Sequence, residues 1–181
     1  MSLTHAILGM LRNGPLTGYD LKTRCFDASI AHFWPADQAQ IYRTLDRMAE
    51  QGLVESRLEI QETRPNRKEY SLTDAGETEL TRWLGETQPL PAYRDPFLVQ
   101  LYFAHTLPPE QLDALLEDQA RLHEERLAVY RAVPLPTLDE LKGHRNHLAE
   151  RLTLELGLAL EQAHLDWIAR AREVLAADAA R

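Results

Sequence analysis

The chain has 181 residues, 44% of them hydrophobic, with 20 Lys and Arg against 28 Asp and Glu and a formal net charge of −8. That length can bury one large core or two small ones, and nothing in the total charge points to a nucleic-acid partner. One cysteine, Cys25, excludes an intramolecular disulfide and fits a reducing compartment, and no stretch approaches the about 20 apolar residues of a membrane span, so the expectation is a soluble cytoplasmic protein.

In chain order, residues 3–11 put Leu3, Ile7, Leu8 and Leu11 on one face of a first helix, which Gly14-Pro15 breaks. Thr17 is placed to cap a second helix with Asp20 in its first turn, and this helix carries Tyr19, Leu21 and Phe26. Pro35 forces Trp34 out of helical geometry, and Asp37 with Gln40 forms an Asp-x-x-Gln capping box. The third helix has Ile41, Leu45, Met48 and Ala49 as its apolar stripe and stops at Gly52. The period then changes to two: Val54, Leu58 and Ile60 point one way while Glu55, Arg57 and Glu59 point the other, as in a half-buried strand. An Arg-Pro-Asn-Arg turn returns the chain as a second strand, and Thr73 caps a fourth helix.

The three prolines of "TQPLPAYRDP" (87–96) mark a linker, giving two predicted domains, 1–86 and 94–181. The second is all helical: an apolar segment from Phe97, a long amphipathic helix from Pro108, and a last helix from about Leu138 to about Ala177. A Thr137/Glu140 capping box would open that helix, with an interruption near Gly143. Its apolar residues Leu148, Leu152, Leu156, Leu160, Ala163, Trp167 and Leu175 recur about every four positions. So long a stripe cannot be hidden inside one small subunit, which predicts a homodimer through the C-terminal helices.

Charge is distributed unevenly. Residues 1–84 hold 10 of the cations and 12 of the acids, so most of the negative excess lies in the second half. In the first half, Arg64, Arg67 and Lys68 cluster with Asn66 at a hairpin tip, and Gln38, Gln40, Arg43, Thr44 and Arg47 fall outside the apolar stripe of the third helix. Three helices followed by a cation-tipped hairpin is the order of a winged helix-turn-helix, in which the third helix reads the major groove and the hairpin meets phosphate. Arg and Gln have the two-pronged hydrogen bonding that suits guanine and adenine edges. Gln38 and Gln40 serve equally well as capping residues. The rival reading is a winged-helix interaction module without DNA.

The segments "AILGMLRNGPLTGYDLK", "FWPADQAQIYRTLDRMAEQGLVE" and "RPNRKEYSLTDAGETEL" resemble the PadR-type transcriptional regulators, over residues 5–85. The later segment "QPLPAYRDPFLVQLYFAHTLPPEQL" is similar to the two-domain branch that includes phenolic-acid-responsive repressors. The resemblance implies a winged helix followed by a helical dimerisation domain, repression of a palindromic operator, and release by a small aromatic effector in some members. It also implies that Tyr42 and the wing, residues 64–68, contact DNA.

An effector would need an apolar pocket with a few polar groups. Phe33, Trp34, Tyr102, Phe103, His105, His164 and Trp167 are the candidates, with ordinary core packing as the alternative for each. His144, His147 and Glu150 share one helical side but are too few for a metal site, so no metal or cofactor is expected. Cys25 is expected to be a buried, inert thiol. A Gly-rich phosphate loop, a Gly-x-Ser-x-Gly elbow and a Cys/His metal pattern are all missing, so no enzyme is expected.

Overall fold

A computed structural model describes residues 2–59, 67–143 and 145–179, which form two compact units, Met1–Pro91 and Ala92–Arg181. In the first, α1 (Ser2–Leu11) leads to a short strand β1 (Leu16–Thr17), α2 (Gly18–Asp20) and a π-helical run, Leu21–Ser29. Then come α3 (Gln38–Glu50), β2 (Val54–Glu59), β3 (Arg67–Leu72) and α4 (Asp74–Leu84). The sheet order is β1-β3-β2, antiparallel throughout, with Leu16 opposite Tyr70 and Val54 opposite Leu72. Ile7, Leu8, Leu21, Phe26, Ile41, Leu45, Met48, Val54, Tyr70 and Leu80 form the core.

The expected caps form. The Thr17 hydroxyl accepts from Asp20 N at 3.0 Å and Asp37 accepts from Gln40 N at 2.7 Å, each acidic or amide partner reaching back to close the box. The Thr73 hydroxyl accepts from Gly76 N at 3.0 Å and donates to the Gly52 carbonyl at 2.7 Å, tying the end of β3 to the turn before β2. Gly76 itself is needed for space, because a Cβ there would fall on the Leu53 carbonyl oxygen.

Three sequence expectations for this unit need correcting. The second helix continues as a π-helix after one α-turn, so Leu21, Cys25 and Phe26 all face inward. A third strand exists, β1, too short to leave a periodic pattern. Leu58, expected on the buried face, is 59% exposed, because only the root of the hairpin, at Val54 and Tyr70, packs on the helices. Ile60 lies outside the described residues.

In the second unit, Asp95 caps α5 (Pro96–Phe103), accepting from Phe97 N at 2.8 Å, and a 3-10 turn (Ala104–Thr106) precedes α6 (Pro109–Arg131) and α7 (Arg145–Ala179). The long helices run antiparallel. Arg172 holds Asp113 through two bonds of 2.7 and 2.9 Å, His123 Nδ1 lies 2.6 Å from Glu161 Oε2, and Gly157 leaves room for the Tyr130 ring. Phe97, Leu116 and Ile168 are the centre of its core.

The last helix starts at Arg145, later than its sequence pattern suggested. Thr137 N and Oγ1 do donate to Glu140, at 2.8 and 2.7 Å, but only turns follow, because Gly143 takes φ +92°, outside right-handed helical space. Along α7, Leu152, Leu156, Leu160, Trp167 and Val174 remain exposed within the single chain. Among the described residues no helix is long and apolar enough to cross a membrane.

Candidate nucleic-acid interface

Burial of Ile41, Thr44, Leu45 and Met48 fixes which side of α3 faces inward, and Gln38, Ala39, Gln40, Tyr42, Arg43, Asp46 and Arg47 lie on its exposed side. Thr44, expected outside, is only 5% exposed; it flanks the apolar stripe and sits in the floor of a groove beside α3. Gln40 Oε1 accepts from Asp37 N at 3.2 Å, which commits that oxygen to the cap and leaves its NH2 group outward. The Tyr42 ring packs onto Gly18, which explains a glycine at the start of α2.

A groove of about 380 Å³ runs along one flank of α3, lined by Leu3, Trp34, Pro35, Gln40, Arg43 and Arg47. On the other flank Lys68 reaches back from β3, with Nζ 3.7 Å from Asp46 Oδ1 and 5.0 Å from the centroid of the Tyr70 ring. Contact with the Tyr70 hydroxyl, then the Asp46 charge, holds this ammonium above its ordinary range. Arg67 pairs with Glu69 at 3.0 Å. Arg64 and Asn66 lie outside the described residues.

The ion pairs of the first unit show a pattern that the sequence hid. Arg12, Lys22, Arg24, Arg67, Lys68 and Arg82 each have a carboxylate partner. Among the described residues Arg43, Arg47 and Arg57 have none. Arg57, on β2 opposite Glu69, shows in the sequence only as the solvent side of a strand. Asp46 is a further member of this surface that the sequence reading missed; the helical spacing that singles out Arg43 would have found it.

The candidate effector residues come from both units. Phe33 and Trp34 belong to the first unit, where Trp34 borders the α3 groove. In the second unit, Tyr102 and Phe103 meet edge to face at 5.0 Å on an apolar groove of about 660 Å³ shared with Tyr93, Arg94, Leu98 and Val99. Trp167 instead meets the edge of Phe97 at 6.3 Å, and His164 stacks on His123 at 4.4 Å. His105 lies in the 3-10 turn after α5. His147 Nδ1 is 3.2 Å from Glu150, His144 lies outside the described residues, and no group of three metal-binding side chains occurs among those described. Burial pushes the Cys25 thiol pKa up, away from reactivity.

Three helices, a small sheet and a projecting hairpin define a winged helix-turn-helix protein, here with an all-helical second unit. Residues 7–82 match the model of the "Transcriptional regulator PadR-like family" and residues 93–176 that of the "Virulence activator alpha C-term" family. The chain is 38% identical over 127 residues to the negative transcriptional regulator PadR of Bacillus subtilis, covering 70% of this chain and 69% of that one. It is 33% identical to the probable transcriptional regulator Rv1176c of Mycobacterium tuberculosis, over 97% and 98% of the two chains. Crystal structures of Bacillus subtilis PadR with operator DNA and with p-coumaric acid superpose with TM-scores of 0.81 and 0.77, each at 30% identity over 97% of this chain and 99% of the other. The chain belongs to the PadR-like family of transcriptional regulators, and its relatives are regulators rather than enzymes.

Proposed function

We propose that the chain is a cytoplasmic, ligand-responsive repressor that binds a palindromic operator as a homodimer, using α3 and the β2–β3 wing. Residues 1–86 would supply DNA binding and residues 94–181 dimerisation and effector sensing. The observation that carries this reading is the trio Arg43, Arg47 and Arg57. In a chain with 28 acids to 20 cations, their lack of partners among the described residues is not for want of carboxylates. Guanidinium groups left on a recognition helix and its wing are suited to phosphate and guanine. The relative bound to operator DNA supports the same use of this fold.

The exposed stripe on α7 supports the homodimer, since a contiguous apolar face of that length marks an interface rather than scattered surface residues. The groove beside Tyr102 and Phe103 and the relative bound to p-coumaric acid support a planar aromatic effector.

A gel-shift titration against DNA from upstream of the protein's own gene tests the reading. A dimer-sized complex that weakens steeply with salt is expected. No complex at low salt, or one indifferent to replacement of Arg43 and Arg57, would overturn it. Calorimetry with a panel of hydroxycinnamic and other planar aromatic acids tests the effector, and silence across the panel removes that ligand class.

A further inference from the structure

A recognition helix presents four side chains to one groove at spacings i, i+3, i+4 and i+7. The face of α3 opposite its buried residues supplies Ala39, Tyr42, Arg43 and Asp46 at that spacing, all exposed. Asp46 is the unexpected member. A carboxylate facing a phosphate-lined groove weakens binding to every sequence unless it receives a hydrogen bond from a base. With 64% of its side chain exposed it is not there for the core. Nor does anchoring the wing account for it. Its pair with Lys68 is long and solvated, a kind of interaction that contributes little, and the Tyr70 ring already holds Lys68.

Resting on the operator-binding reading above, we propose that Asp46 is a specificity-determining residue. Its carboxylate accepts a hydrogen bond from the N4 amino group of a cytosine in the major groove, at one position of each half-site. Cytosine is the base selected because adenine places the N7 lone pair beside its amino group, where it repels a second acceptor, while guanine and thymine offer a major-groove edge of acceptors only. Docking leaves Lys68 free to exchange Asp46 for phosphate, so the ion pair that occupies Asp46 among the described residues is given up where the wing meets the backbone.

The test uses the full-length protein and duplexes that it selects from a random library, followed by every single-base variant of the selected site. Wild type is expected to require cytosine at one position per half-site, with binding about 5- to 150-fold weaker for the other bases. Asp46→Asn should move that preference to adenine, whose N6 and N7 match a carboxamide. Asp46→Ala should level the four bases there and bind random duplex more tightly. Lys68→Met should weaken all sequences alike and leave base preference unchanged. Unaltered preference in both Asp46 variants overturns the assignment, and so does loss of the same preference in Lys68→Met, which would place the effect in the wing. If wild type selects no sequence at all, the operator-binding reading fails first and takes this assignment with it.

Discussion

Tyr42 and Gly18 touch so closely that a Cβ built on the glycine would stand 2.5 Å from the tyrosine Cε1 and 2.6 Å from Cζ. The start of α2 is thus the backing plate for a side chain at the candidate DNA surface. The tyrosine ring is partly exposed and at the end of a rotatable chain, so a clash moves the ring before it moves backbone. Gly18→Ala is expected to cost less than about 1 kcal/mol of stability yet weaken DNA binding as much as Tyr42→Ala does. Thermal melts and gel shifts of the two variants, compared with the double variant, check this: the two reductions in affinity should not add.

Gly76 gives the opposite case. Its neighbour is the backbone carbonyl of Leu53, which cannot rotate away without breaking its hydrogen bond with Thr73 N. Gly76→Ala is therefore expected to destabilise the winged helix by about 2–3 kcal/mol. Urea denaturation reads this directly, as a lower midpoint at unchanged slope.

Arg57 gives a prediction in salt rather than in sequence. If it meets a phosphate, Arg57→Ala should weaken binding to all duplexes alike and make the plot of log K against log salt shallower by about 0.9 for each phosphate no longer neutralised. A slope equal to that of wild type would remove Arg57 from the interface.

The α1–α4 junction should respond to acid. Arg82 first, then His5 with Nε2 at 2.9 Å, hold the Glu79 carboxyl down to about 2 from an ordinary value of 4.5, while the His5 ring stacks on Trp83 at 4.5 Å. A pKa lower in the folded than in the unfolded state means stabilisation that is complete above pH 4.5 and fades as pH falls toward 2. The Tm deficit of Glu79→Gln relative to wild type should shrink as pH falls from 4.5 toward 2. A deficit that does not vary with pH would show that the carboxylate charge is not what matters.

The exposed face of α7 predicts an assembly defect without a folding defect. Leu156→Glu places a charge in the middle of the stripe formed by Leu152, Leu160 and Trp167. Sedimentation should show the dimer dissociation constant raised about 30-fold or more, with the helical circular dichroism of the subunit retained.

What the sequence made legible was mostly local. A hydroxyl or carboxylate three residues before its partner caps a helix wherever the chain goes, so Thr17, Asp37 and Thr73 were readable without any tertiary knowledge. So was the charge on the wing. Residues whose fate depends on a distant neighbour were not readable. Thr44 is buried in the floor of a groove that Leu3 and Trp34 also line, and Leu58 is exposed because it lies beyond the part of the hairpin that joins the core. The π-helical run was invisible because its widened turn is set by Leu21, Cys25 and Phe26 all packing into one core. The candidate site followed the same rule. Arg43 and Arg47 came from helical spacing, whereas the lack of an ion-pair partner for Arg57 among the described residues is a property of the folded surface.

The Thr73 hydroxyl, joined to Gly52 on one side and Gly76 on the other, has a mechanical consequence. It turns the hairpin into a cantilever whose root is bolted to the turn after α3 and to the first turn of α4, with the long Lys68–Asp46 pair as a light stay farther out. A six-residue strand is about 20 Å long, so a tilt of about ten degrees at the bolted end carries the free end through about 3.5 Å. Any torque delivered through α4 would reach a bound duplex magnified by that arm, with no need for the hairpin itself to bend.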